Sequence, residues 1–121
     1  MDNETTIKQL LDEALKIRDE RNWKQYHDPK NLAAALSIEA GELQELFLWK
    51  SEKQVDALAL SEEGKRRINE EVADIFIYLL FFADSVGMDI SDAVREKFLI
   101  NERKYPLSKS YNSNKKYTEF D

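Results

Sequence analysis

Residues 61–86, SEEGKRRINEEVADIFIYLLFFADSV, carry an unbroken helical period. Ile68, Val72, Ile75, Leu79, Phe82 and Val86 recur at three- and four-residue steps and form one apolar face. Ile77, Leu80 and Phe81 make the opposite side apolar too. A helix that is apolar over most of its circumference must be central to its fold, with other helices around it. Ser61, followed by Glu62 and Glu63, gives it a favourable start, and Gly87 marks its stop. Its longest apolar run, IFIYLLFFA at 75–83, is bracketed by Asp74 and Asp84. A membrane span needs about 20 residues, so the run is a buried segment and no membrane partner is expected.

The rest of the chain also reads as helix. With 121 residues, three glycines and two prolines, it has little punctuation and almost no β-branched alternation. One helix is predicted from about Thr6 to Arg21, with Ile7, Leu10, Leu11, Ala14, Leu15 and Ile17 on its apolar positions. NWKQYHDP, 22–29, breaks that pattern as a connection. A second helix starts after Asp28 with Pro29 in its first turn and runs to about Lys50. SEKQVDALALS is weakly patterned and fits a loop or a short helix. After the helix of 61–86, a fourth runs from about Ser91 to just before Pro106. The expectation is one all-α domain of four main helices over 1–105, then a polar, mobile tail over 106–121.

Charge and composition narrow the function. Eighteen basic against 24 acidic residues leave a net charge of −6, which disfavours polymeric nucleic acid as a partner. It leaves room for a small phosphorylated ligand carried with a divalent cation. The absence of cysteine removes disulfides, thiolate metal sites and cysteine nucleophiles. The acidic start MDNETTIKQLLDE has no signal-peptide character, so a cytoplasmic protein is expected.

Within this frame four carboxylates are out of place. On the second helix Glu39 falls in the stripe of Leu32, Leu36, Leu43, Leu46 and Phe47, and Glu42 lies at its edge. Residues three apart are neighbours on a helix surface, so both carboxylates can point at one object. On the helix of 61–86, Glu71, Asp74 and Tyr78 form a narrow strip between the two apolar faces. An unpaired buried carboxylate is costly, and several together repel. Neither helix places a lysine or arginine beside them. A divalent cation remains, and hard oxygen ligands suit Mg2+ or Mn2+. Glu45 and Glu70 adjoin the cluster, where surface roles compete with a water-positioning one.

The spacing E-x-x-E, 28 residues, then E-x-x-D resembles the signature of the MazG-like all-α nucleoside triphosphate pyrophosphohydrolases. RNWKQYHDPKNLAAALSIEAGELQELFLWK, EEVADIFIYLL, and INERKYP with KKYTEF resemble the dCTP pyrophosphatase branch in particular. The likeness implies a four-helix MazG-like bundle, assembled as a homo-oligomer, and hydrolysis of a (d)NTP to its monophosphate and pyrophosphate. It implies Mg2+ held by Glu39, Glu42, Glu71 and Asp74, with one of these or Glu45 as base. It implies a nucleobase pocket lined by Trp23 and Trp49, with Tyr78 near the sugar and Asn101 reading the base edge. Lys97, Arg103 and Lys104 are candidates for phosphate, and His27 for a ligand contact or a loop-ordering role. The double-sided apolar helix and the family together point to a tetramer built as a dimer of dimers.

Three other readings compete. A dUTP-directed or phosphoribosyl-ATP pyrophosphohydrolase shares the metal logic but lacks a reason for the paired tryptophans. A di-iron bundle wants E-x-x-H motifs, and the single histidine, His27, lies outside the acid-bearing helices. A non-catalytic helical oligomerisation or metal-binding module is the remaining alternative.

Overall fold

The computed structural model describes residues 1–121 and is entirely helical, without strands. It has six α-helices: α1 (Ile7–Glu20), α2 (Pro29–Glu45), α3 (Glu52–Leu60), α4 (Glu62–Ser85), α5 (Ile90–Lys104) and α6 (Leu107–Ser110). Two short 3-10 turns, Lys24–Tyr26 and Tyr117–Glu119, complete it. The count corrects the expected four, because 51–60 is a capped helix and Pro106 opens another turn. No helix is long and apolar enough to cross a membrane.

Side-chain caps set the helix starts. Thr6 accepts from the Gln9 N–H at 3.1 Å, and the Gln9 side chain accepts from the Thr6 N–H at 2.7 Å. Such reciprocal caps satisfy donors that the first helical turn leaves open. Ser51 and Gln54 do the same for α3, which identifies SEKQ as a helix start. Asp28 caps α2 by accepting from the Asn31 N–H, with Pro29 at the first helical position. Ser61 receives the Gly64 N–H at the head of α4.

Two ends differ from the sequence expectation or explain it. α2 stops at Glu45, short of Lys50: Leu46 and Phe47 donate to residues three back, and Trp49 adopts φ 61°. A tightened last turn followed by a left-handed residue ends a helix without needing glycine. α4 ends as expected, with Gly87 at φ 68° and the Met88 N–H returning to the Ala83 carbonyl.

The chain resolves into two compact units, 1–88 and 89–121, whereas the sequence suggested a boundary after residue 105. In the first unit α4 is central and packs against α1, α2 and α3, most extensively against α2. Leu32 of α2 and Leu80 of α4 are its fully buried large side chains. Gly64 sits where α3 turns into α4, and a Cβ there would overlap the Leu58 carbonyl. In the second unit, Tyr105 meets Tyr117 and Phe120 edge-on at 5.9 and 5.8 Å, and Lys104 lies over the Tyr117 ring. The segment 106–121 therefore carries defined contacts.

Candidate active site

The pairing of α2 with α4 brings the two acidic motifs together. Glu39, Glu42 and Glu71 each offer a carboxylate oxygen lying within 4.8 Å of the other two. Glu39 and Glu71 are half-buried, and each has one oxygen, Oε2, shielded and without a hydrogen-bond partner. None of the ion pairs reaches these residues or Asp74. Burial first, and then the neighbouring Glu42, Asp74 and Glu71, push the Glu39 carboxyl up to about 7. Glu71 is raised in the same way, by burial and then by Glu42 and Asp74. Unsatisfied, crowded carboxylates of this kind mark a place where positive charge is missing.

A hard divalent cation fits this donor set. Three carboxylates from two packed helices, with oxygens this close together, are the hard donors such an ion would take. Asp74 is exposed and stands outside the three-residue group, yet its charge acts on both Glu39 and Glu71.

Asp74 also lines a cavity of about 440 Å³ between α1 and α4. Its walls are largely apolar: Leu10, Ala14 and Ile17 from α1, Trp23, and Ile77, Tyr78 and Phe81 from α4. That volume suits a small organic ligand, and few polar groups border it. The acid cluster and an aromatic-walled cavity thus share Asp74 as their common border.

A family model described as the MazG-like family matches residues 34–120. The chain belongs to the MazG-like family. It is 41% identical over 100 residues to human dCTP pyrophosphatase 1, covering 83% of this chain and 59% of that protein. The bovine dCTP pyrophosphatase 1 is 38% identical over 117 residues, covering 97% of this chain and 69% of its own. The chain thus spans about three-fifths of the human relative it matches. Among solved structures, a pyrophosphatase from Archaeoglobus fulgidus superposes with a TM-score of 0.76 at 44% identity. That match covers 83% of this chain and 92% of the other.

The remaining site residues of this MazG-like chain are distributed unevenly. Trp23 and Tyr78 line the cavity, whereas Trp49 is 93% exposed and does not. Glu45 is exposed at the end of α2, one turn beyond Glu42, and Glu70 pairs with Arg66 at 2.7 Å. His27 packs its ring on Phe81 at 4.6 Å and hides Nδ1 without a partner. Burial, then the Arg18 charge, lower its pKa and favour the neutral ring. Lys97, Asn101, Arg103 and Lys104 lie on α5, in the second unit. Sequence reasoning missed the α1 wall of the cavity and the buried Arg18. Arg18 sits one turn after buried Ala14, a charge on an apolar stripe, which is the same signal that exposed Glu39.

Proposed function

We propose that this chain is a nucleoside triphosphate pyrophosphohydrolase. It converts a (d)NTP and water into the monophosphate and pyrophosphate, favouring deoxynucleotides such as dCTP. Three carboxylates from α2 and α4, with two orphaned buried oxygens, next to an aromatic-walled cavity, carry this reading. Family membership and the dCTP pyrophosphatase relatives support it.

Glu39, Glu42 and Glu71, with Asp74 at the border, hold the cation; Mg2+ suits them best, and Mn2+ is compatible. When bound, such a cation would supply positive charge to the phosphate oxygens and lower the pKa of the attacking water. Phosphoryl transfer depends on positioning and charge neutralisation more than on covalent chemistry. One of the four carboxylates, or Glu45, takes the proton of the attacking water. Trp23 and Tyr78 hold the base and sugar end, and Trp49, outside the cavity of the single chain, would join the base pocket through association. Lys97, Arg103 and Lys104 meet phosphate, and Asn101 reads the base edge.

The assembly is a homotetramer, a dimer of dimers. Its support is apolar surface left open: Leu79 of α4 is 39% exposed, and Phe98 and Leu99 of α5 each 60%. The physiological role is nucleotide-pool house-cleaning in the cytoplasm.

Pyrophosphate release from the eight common NTPs and dNTPs, with and without magnesium, tests the reading beside Glu71→Gln. Magnesium-dependent release that the variant loses is the expected result. No release from any nucleotide would refute the activity and leave a non-catalytic helical assembly module.

A further inference from the structure

We propose that Arg18 is a positioning residue for the cavity, fixing Trp23 against α4 through its ion pair with Asp84. The proposal rests on the pyrophosphohydrolase reading of that site.

Arg18 is the buried charged residue of the fold, 6% exposed. A guanidinium taken out of water needs partners, and it has two. Its Nε donates to Asp19 at 2.8 Å, and its Nη1 donates to Asp84 at 2.9 Å. Asp19 is its neighbour on α1, so that bond only orients the guanidinium. Asp84 lies 66 residues away in the last turn of α4, so that bond ties the ends of two helices together.

The tie continues through the main chain to the cavity. After α1 the chain reverses at Asn22, φ 54°, and the Trp23 N–H donates to the Arg18 carbonyl at 3.0 Å. The same residue thus grips α4 with its side chain and Trp23 with its backbone. Trp23 is 44% exposed, so core packing does not cage it. A second cation holds its face: the Arg21 guanidinium lies 5.6 Å from the ring centroid, itself anchored to the Ile17 carbonyl at 3.1 Å. The opposite cavity wall, with Asp74, Tyr78 and Phe81, belongs to α4. Without the Arg18–Asp84 bond, the end of α1 and its tryptophan lose their register against that wall. The carboxylates of α2 and α4 keep theirs.

A residue acting this way affects the aromatic end of the substrate more than its phosphates. In Arg18→Met, KM for the preferred nucleotide is expected to rise about tenfold with kcat within about threefold. The inhibition constant of inorganic tripolyphosphate, which has no base, stays unchanged. Arg18→Lys, which can still reach Asp84, recovers part of the loss. Asp84→Asn moves in the same direction as Arg18→Met, and carries the test if the latter does not fold. An unchanged KM in both variants overturns the proposal. So does a parallel loss of kcat and tripolyphosphate affinity, which a merely structural role would produce. If wild type hydrolyses no nucleotide, the activity reading fails separately. Acrylamide quenching of Trp23 in a Trp49→Phe background then decides the latch: a steeper quenching slope with Arg18→Met supports it, and an unchanged slope refutes it.

Discussion

Glu39 of α2 and Glu71 of α4 point oxygens at a common space, and each hides its Oε2 from water without a hydrogen-bond partner. Protonation relieves this crowding at low pH, and a bound cation would relieve it at higher pH. A cation that binds only the folded protein stabilises it by mass action, about 2.7 kcal/mol at a hundredfold excess over Kd. Magnesium is therefore expected to raise the melting temperature, and Glu39→Gln to abolish most of that increase. Thermal melts with and without the ion check both.

The same crowding sets a pH dependence. Folded Glu39 holds its proton up to about pH 7, against 4.5 for an ordinary glutamate. Between those values the folded protein binds more protons than the unfolded chain, so metal-free stability falls as pH rises from 4.5 through 7. Cation affinity runs the other way, rising over the same window because the ion displaces the proton. Melts across pH 5–8 without metal, and calorimetry in buffers of different ionisation enthalpy, measure the two halves.

Trp23 walls the cavity, whereas Trp49 stands 93% exposed on the turn after α2. Stacking on an aromatic contributes about 1–3 kcal/mol per base, so Trp23→Ala is expected to raise KM roughly 5- to 150-fold. A nucleotide titration against wild type gives the value. A similar loss from Trp49→Ala in the assembled oligomer, but not in a dissociated one, would locate Trp49 in a pocket completed by association.

Gly64→Ala tests the junction between α3 and α4. The added Cβ would overlap the Leu58 carbonyl, which is backbone and cannot rotate away. Overpacking of this kind costs about 1–3 kcal/mol, even though alanine favours helix more than glycine does. A drop in the urea midpoint with an unchanged slope is the expected outcome.

Much of this molecule is legible before folding because its signals are local. The helical period of 61–86, the caps at Asp28 and Ser61, and the stop at Gly87 act over one or two turns. The caps at Thr6 and Ser51 are equally local, though the weak apolar pattern after S-x-x-Q fits a loop as well as a helix. The two acidic pairs stand out because a carboxylate inside an apolar stripe needs a compensating partner. Arg18, a charge one turn after Ala14 on the apolar stripe of α1, carries the same signal.

What only the tertiary structure decided depends on how helices cross. Periodicity says that Glu39 and Glu71 each turn toward a partner; the packing of α2 on α4 says that their oxygens meet, with Glu42 joining and Asp74 turned toward the cavity. The fate of the two tryptophans likewise rests on local backbone reversals at Asn22 and Trp49, both left-handed and neither marked by glycine. The Arg18–Asp84 bond spans 66 residues, beyond the reach of any short-range pattern. Helix formation is a contest between neighbours along the chain, so sequence carries it. A site is made by side chains brought close through packing, and its geometry exists only once the helices have docked.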